Sequence, residues 1–344
     1  MKRSILFTFS IICFAGCLLT LLVGWTHKPA RPENNITAIQ SSVTRGFTLL
    51  QTSGAIMITK SKCASCHHST MTSMVAATMA KKGITNIDTT ARMREMAMLG
   101  SLDFIGNPNL NTQFVTAKFL APYILLGLHA EKHPADITTD ISVDYLMSQA
   151  MPDGSYKAEC ARVPLECGDI HLTAMATRAI DLYVSPARRQ QAQLLLTRAR
   201  AWMEKQHPTQ QQELAFQLLG LHWTGSSQSA KDAIAQQLLA LQNKDGGWSQ
   251  LPSMKSDAYA TGQSLYALEQ SGSMAVSNAA FQKGINYLLA SQDASGAWLM
   301  VTRSNPIQPF VNTQFPPYDD NQFIAAAATN WAVLALAEAL PSVQ

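Results

Sequence analysis

Charged residues are scarce in this chain, and their scarcity excludes one class of partner. Only 14% of the 344 residues are charged, and the formal net charge is +3. No basic stripe, Arg-rich arm or interleaving of basic and aromatic residues is present, so nothing in the sequence indicates nucleic-acid binding. The strict alternation of apolar and polar residues that marks half-buried strands is nearly absent as well. The pattern of apolar and polar residues therefore argues against a β-sheet protein.

Helical periodicity fills the chain instead. Apolar residues recur at every third or fourth position in segments such as 190–203 and 230–241. About twelve segments of this kind are separated by clusters of Gly, Pro, Asn and Asp, which favour turns. The sequence predicts one all-α domain over 36–342, preceded by a polar linker at 27–35.

The N-terminus has the pattern of an export signal. Lys2 and Arg3 precede an apolar run without charge, from Ile5 to Trp25, which is long enough to approach a membrane span. With the two basic residues in the cytoplasm, the rest of the chain would lie outside it. We interpret 1–26 as a signal-anchor; a cleaved signal peptide and lipid attachment at Cys17 are the alternatives. Each predicts a bacterial periplasmic protein, tethered to the inner membrane or secreted.

Cysteine is rare, and its placement is informative. Of six cysteines, two lie in the apolar leader and two lie together at 63–66. The remaining pair, Cys160 and Cys167, would meet an oxidising compartment after export. The sequence therefore predicts a disulfide between them.

The segment Cys63-Ala-Ser-Cys66-His67-His68 matches the C-x-x-C-H pattern of covalent haem c attachment. Each thiol can form a thioether with a haem vinyl group, and the His67 imidazole can then bind the iron. Zinc held by Cys63, Cys66 and His67, or a disulfide between the two cysteines, are the alternatives. A second axial ligand could come from methionines of the next helix, whose soft thioethers suit haem iron: Met93, Met96 and Met98.

A short motif recurs at the ends of helical segments. Gln242-Asn-Lys-Asp-Gly-Gly-Trp248 reappears fifty residues later as Gln292-Asp-Ala-Ser-Gly-Ala-Trp298, with a looser copy at Gln149 to Tyr156 and a worn one at Leu50 to Gly54. The Gln side chain can bond backbone at the end of its helix, the Gly-containing turn reverses the chain, and the aromatic ring packs under the next helix. Each copy is predicted to fasten one helix pair to its neighbour.

These copies resemble the QW motifs of squalene–hopene cyclases and related terpene cyclases, and the repeats of protein prenyltransferase β-subunits. The resemblance covers roughly 140–340. It implies an (α/α) toroid, in which inner and outer helices alternate around a central cavity, and twelve helices would make six hairpins. The whole soluble part also resembles bacterial exported proteins that join a Cys-x-x-Cys-His-His segment to such repeats.

The resemblance does not carry an activity with it. Class II terpene cyclases protonate their substrate with an Asp-x-Asp-Asp motif, and the nearest match here is Tyr318-Asp319-Asp320, which lacks the first acid. Neither the Asp-rich magnesium motif of class I cyclases nor the zinc arrangement of prenyltransferases is visible. The sequence therefore indicates the architecture more firmly than the chemistry.

Three acids stand at the starts of presumed inner helices: Asp169, Asp257 and Asp320. In a toroid they would ring one opening and, with His171, Tyr259 and Gln322, could bind a cation or a polar head group. Capping of helix N-termini is the alternative role.

Aromatic residues near the C-terminus could form the wall of a cavity for an isoprenoid ligand. Three of them precede the small-residue run 325–328, and the fourth follows it. Packing in the core is the alternative explanation. The four residues are Phe310, Phe315, Tyr318 and Trp331.

Three functions remain open at this stage. The sequence favours an exported toroid with a c-type haem that exchanges electrons with a redox partner or oxidises a hydrophobic ligand. The second hypothesis is a toroid that binds a lipid or a protein without turnover. The third is a terpene cyclase-like enzyme that uses other acids.

Overall fold

A computed structural model describes residues 32–62, 64–85, 88–103, 117–160, 162–304 and 311–342. Within these ranges the chain forms twelve α-helices and contains no β-strand. In chain order they are α1 Pro32–Ser61, α2 Met71–Lys81, α3 Ala91–Leu102, α4 Ala117–Ala130, α5 Ile137–Gln149, α6 Asp169–Tyr183, α7 Arg189–Glu204, α8 Gln211–Trp223, α9 Gln228–Ala240, α10 Ala258–Gln270, α11 Ala279–Ser291 and α12 Gln322–Glu338. One π-helical turn, Cys66–Thr70, leads into α2.

The even-numbered helices form a closed inner ring. Each packs on the two that neighbour it, in the order α2, α4, α6, α8, α10, α12 and back to α2. The odd-numbered helices lie outside. Four of them pack on the inner helices on both sides, namely α1, α5, α7 and α11, whereas α3 packs on α4 and α9 packs on α8. The predicted (α/α) toroid of six hairpins is therefore confirmed.

Composition explains which helices lie inside. In α12 every residue from 324 to 337 is buried, and in α10 every residue from 258 to 268 is buried. The outer helix α7 instead buries one stripe at helical spacing, made of Ala192, Leu195, Leu196, Ala199 and Met203. A helix that is apolar all round belongs in an interior, whereas an amphipathic one belongs at a surface.

The recurring motif builds three equivalent joints between hairpins. In each joint the Tyr hydroxyl or the Trp indole N–H donates a hydrogen bond to the carbonyl ten residues earlier, near the end of the preceding outer helix. The backbone N–H of the same aromatic residue donates to a threonine hydroxyl of the next inner helix. The ring–carbonyl pairs are Tyr156 with Leu146 at 2.8 Å, Trp248 with Leu238 at 2.8 Å and Trp298 with Leu288 at 2.9 Å.

The glutamines of the two clear copies connect each joint to the following outer helix. Gln242 donates to the carbonyl of Ala280 at the start of α11, and Gln292 donates to the carbonyl of Ser42 in α1. The second contact joins residues 250 positions apart. It closes the ring by fastening the last hairpin to the first helix.

Two of the looser assignments differ from this pattern. Gln149 bonds the neighbouring Ser148 hydroxyl rather than the next outer helix. Gln51 lies in the middle of α1, where its side chain accepts from Thr89, so the segment Leu50 to Gly54 is not at a helix end. The aromatic anchor Tyr156 follows Gln149 by seven positions instead of six, and no aromatic residue follows Gln51 at a comparable distance.

The N-terminal predictions fall largely outside the described residues. The leader at 1–26 lies there, and α1 begins at Pro32, inside the range 27–35 assigned to the linker. None of the helices in the described part of the chain combines the length and apolar character needed to span a membrane.

Candidate functional site at the mouth of the inner ring

The longer connections of the toroid lie at one end of the inner ring. This end, where the even-numbered helices begin, is called the mouth below. The connections there include 150–168, 241–257 and 292–321, whereas the opposite end carries short turns such as 184–188 and 224–227. Side chains from several loops can therefore meet at the mouth.

The three predicted acids lie at the mouth, but their environments differ. Asp257 caps α10 by accepting from the backbone N–H of Ala260 at 2.8 Å, and burial raises its pKa to about 6. Asp169 forms an ion pair with Lys157 at 2.6 Å and is partly exposed. Asp320 is exposed in the turn before α12. The three carboxylates do not form one equivalent ring of ligands.

His171 lies in a buried aromatic setting. Its Nε2 is 3.0 Å from the Tyr123 hydroxyl, and its ring stacks on Phe216 with centroids 3.9 Å apart. Burial lowers the pKa of His171 to about 4, so the imidazole is neutral near pH 7. This pair can pass or hold a proton without carrying a charge.

Tyr259 and Gln322 hold other elements of the mouth in place. The Tyr259 hydroxyl donates to Oε1 of Gln212 at 2.9 Å, which joins α10 to α8. Gln322 accepts from both the backbone N–H and the hydroxyl of Thr313, each at 2.7 Å. The Thr313 hydroxyl also lies 3.2 Å from Nε2 of His68. These contacts fix the segment before α12 over the start of α2.

The Cys-His-His segment lies at the mouth, in the π-helical turn before α2. Cys66, His67 and His68 are all buried, while Cys63 lies outside the described residues. Nδ1 of His67 and Nδ1 of His68 have no hydrogen-bond partner among the described residues. Burial lowers the pKa of both imidazoles, to about 3 for His68.

An unpaired, neutral imidazole nitrogen is a free ligand atom, so His67 fits the predicted role as a haem ligand. No group of three or more His, Cys, Asp or Glu side chains in the described ranges is arranged to hold a metal ion. The haem and zinc assignments both depend on Cys63 and stay predictions.

The predicted distal methionines occupy different environments on the outer helix α3. Met93 and Met96 are exposed, the latter at 59%. Met98 is fully buried, and a Cβ placed on Gly127 of α4 would lie 2.6 Å from its sulfur. Of the three, Met98 alone has the burial that an iron ligand requires.

A loop closed by a disulfide crosses the mouth. Cys160 and Cys167 are joined with an S–S distance of 2.04 Å. Gln212 of α8 donates to the carbonyl of Cys167, and the Ser304 hydroxyl donates to the carbonyl of Val163 at 2.9 Å. The loop is thus held both by an inner helix and by the connection between α11 and α12.

The disulfide loop carries an ion pair between the half-buried Arg162 and the buried Glu166, with Nη1 3.3 Å from Oε1. Burial raises the pKa of Glu166 to about 7, although the Arg162 charge opposes the rise. Burial is the main cause of the raised pKa of Tyr123, and the Glu166 carboxylate adds to it. Burial is also the main cause of the lowered pKa of His67, and the Arg162 guanidinium adds to it. The pair therefore lies near enough to Tyr123 and His67 for its charges to affect both.

Aromatic rings continue from this region into the ring interior. Phe216 meets Trp331 edge to face at 6.0 Å, and Trp331 lies 5.7 Å from Tyr266. Of the predicted aromatic wall, Trp331 belongs to this interior band and Phe315 is buried beside His68. Tyr318 is 61% exposed, so its assignment to an internal wall is wrong; Phe310 lies outside the described residues.

Solved structures show the same architecture. A structure of the type II terpene cyclase MstE from Scytonema superposes with a TM-score of 0.57 at 14% identity, covering 89% of this chain and 99% of that one. The chain has the fold of type II terpene cyclases. A protein from Actinoplanes is similar, with a TM-score of 0.58, 14% identity, and coverage of 88% of this chain and all of that one.

One MstE variant was solved with geranylgeranyl dihydroxybenzoate, described as its substrate; it matches at a TM-score of 0.57 and 13% identity, over 90% of this chain and 99% of that one. No protein-family profile matches this sequence, and no curated protein is significantly similar to it. At such identities the likeness concerns the fold.

Several residues of the site escaped prediction from sequence. Tyr123 and Phe216 stand in apolar helical runs, where an aromatic residue looks like any core residue. Glu166 directly precedes Cys167, and an acid inside a predicted disulfide loop near a helix start is the signal that could have found it.

Proposed function

We propose that the protein binds an isoprenoid-class ligand inside its inner ring and rearranges it by proton transfer. The observation that carries this proposal is the band of buried aromatic rings in the ring interior, formed by Phe216, Trp331 and Tyr266, in a protein whose mouth carries the buried carboxyl of Glu166. Aromatic faces suit a branched, unsaturated hydrocarbon and stabilise a cation formed on it.

The shared fold supports the choice of ligand. A toroid of this kind holds geranylgeranyl dihydroxybenzoate in the MstE complex. Because the identity is only 13%, the residues of this chain must supply their own binding and chemistry. The aromatic band supplies an apolar environment that suits such a chain.

Glu166 is the candidate proton donor. Its side chain is buried, and a pKa of about 7 leaves a large share of it protonated at neutral pH. Transfer of that proton to a double bond would leave a carbocation on the ligand and a carboxylate beside Arg162. Loss of a proton from another carbon completes an isomerisation in which no atoms are gained or lost.

Two other carboxyls at the mouth have raised pKa values, and both have structural roles. Glu213, whose pKa burial raises to about 7, accepts from the backbone N–H of Ile170 at the start of α6. Asp257 caps α10 and accepts from Gln250. These bonds commit Glu213 and Asp257 to helix starts, which leaves Glu166 as the acid on the disulfide loop.

The test is product formation from geranylgeraniol and from squalene, followed by gas chromatography with mass spectrometry. Glu166→Gln, which keeps the shape but removes the acid, is expected to lower the rate at least 100-fold while ligand binding persists. Glu213→Gln is the matched control and should retain most of the rate. Full activity of Glu166→Gln would exclude this acid, and binding without product in the unmodified protein would support a non-catalytic toroid.

The second candidate function is that of an exported c-type haem protein. The observation that favours it is the buried imidazole of His67, whose Nδ1 has no partner among the described residues, next to the buried thiol of Cys66. Cys63 and Cys66 would hold the haem, and His67 would bind its iron. A haem in that position supplies one-electron transfer to a redox partner.

Coexpression with the haem c maturation system and a pyridine haemochrome spectrum decide this second function. Cys66→Ser should abolish covalent haem in the folded protein, whereas Cys167→Ser should leave it attached. A colourless, fully folded wild-type protein would contradict it.

A further inference from the structure

The side chain of Gln263 is buried in the inner ring near the Tyr259 hydroxyl, but it forms no hydrogen bond of ordinary geometry with the described residues. It is 1% exposed, and neither Oε1 nor Nε2 has a partner among the described residues. A buried amide left unpaired destabilises the folded protein, because its polar atoms lose their bonds to water without replacement. Such an arrangement favours a site that a ligand completes.

Other buried amides of the ring differ in this respect. Asn330 donates to the carbonyls of His67 and Ala326, and Gln322 accepts twice from Thr313. Those side chains are occupied in holding the ring together. Gln263 has no such structural role.

The position of Gln263 places it on the interior face of α10. Tyr259, Gln263 and Tyr266 follow one another at spacings of four and three residues, so they share one face of the helix. The Tyr266 ring contacts Trp331, and a Cβ at Gly262 would lie 2.5 Å from the Trp331 backbone, so α10 and α12 pack closely here. The free amide therefore lies beside the aromatic band.

The charges at the mouth indicate what the amide recognises. Three carboxyls lie at this end of the ring: Glu166 is buried, and Glu213 and Asp257 are half-buried. Arg162 is paired with Glu166, and Arg303 donates to Gln250 at 2.8 Å. A diphosphate would require several cations free to neutralise it, and the carboxyls would repel it.

We propose that Gln263 binds the hydroxyl of an uncharged head group, as in a prenyl alcohol or a prenylated phenol. Nε2 would donate to the hydroxyl oxygen, and Oε1 would accept its hydrogen. The head group would then lie inside the ring, with the far end of the isoprenoid chain directed to the mouth and Glu166. This inference rests on the proposed function and specifies its substrate class.

The experiment compares three probes of equal chain length by titration calorimetry: geranylgeraniol, the corresponding C20 hydrocarbon without the hydroxyl, and geranylgeranyl diphosphate. The wild-type protein is expected to bind the alcohol about tenfold more tightly than the hydrocarbon, since one hydrogen-bonded hydroxyl contributes about that factor. Gln263→Met, which has a similar shape without the amide, should bind alcohol and hydrocarbon equally.

The control is Gln217→Met, because Gln217 is also buried but donates to the carbonyls of Met203 and Gln206. It should keep the preference for the alcohol, and thermal melts verify that both variants fold. Equal binding of alcohol and hydrocarbon by the wild type, or tightest binding of the diphosphate, would overturn the assignment of Gln263. Binding of none of the three probes would instead contradict the proposed isoprenoid function.

Discussion

The buried carboxyl of Glu166 should make the stability of the folded protein depend on pH. Burial raises the pKa of this group from an ordinary 4.5 to about 7, and the Arg162 guanidinium offsets only part of the rise. Because the folded state holds the proton more tightly than the unfolded state, the contribution is fully present below about pH 4.5 and is lost as pH rises to about 7. At about 1.4 kcal/mol per pKa unit, the loss amounts to about 3 kcal/mol.

Glu166→Gln isolates this contribution. The amide cannot ionise, so the variant should gain about 3 kcal/mol of unfolding free energy relative to wild type between pH 4 and pH 8. Urea unfolding followed by tryptophan fluorescence at several pH values measures the difference. The exposed Glu204→Gln serves as control and should track the wild type throughout. If the unfolding free energies of wild type and Glu166→Gln depend on pH in parallel, the disulfide loop does not contain a buried ionisable acid.

Three further changes probe the joints and the loop. Gly296→Ala should destabilise the toroid by about 2–4 kcal/mol in thermal melts, because φ is +93° and the new Cβ would lie 2.9 Å from the Arg45 carbonyl. The control is Gly272→Ala, also at positive φ but in open space, which should cost only about 1 kcal/mol in the same melts. Trp248→Phe should lose about 1–2 kcal/mol in urea unfolding, since the Leu238 carbonyl loses its buried donor; an unchanged midpoint would contradict that joint. Reduction of the disulfide should lower stability by about 2–3 kcal/mol, the loop-closure contribution of an eight-residue loop, and a melt insensitive to reductant would show that the loop is held by its other bonds alone.

The architecture was predictable because its signals are local. The motif from Gln242 to Trp248 contains its own turn, and the Trp248 ring bonds a carbonyl only ten residues earlier. The apolar composition of a helix such as α12 likewise predicts that the helix lies in the interior. Local signals of this kind are legible in a single sequence.

The site was less predictable because ring closure assembles it. The charge of Glu166 affects Tyr123 only when α4 and the disulfide loop come together, and Gln263 becomes interior only when α12 packs on α10. The acids at helix starts were found by position, but position does not reveal that Asp320 is exposed whereas Asp257 is half-buried and has a raised pKa. The burial of a side chain depends on packing partners that are distant in the sequence, and helical periodicity does not identify those partners.

The bond from Gln292 to α1 has a consequence for the order of assembly. Contacts that seal the toroid join residues about 250 positions apart: Gln292 with Ser42, Thr72 with Asn330, and Lys82 with Glu338. Because the chain is synthesised from its N-terminus, α1 and α2 form before their last neighbour, α12, is present. Until α12 arrives, the chain is an open arc with its apolar inner face accessible, which is the state most prone to aggregation. Vectorial folding of this protein is therefore most vulnerable just before its final hairpin is complete.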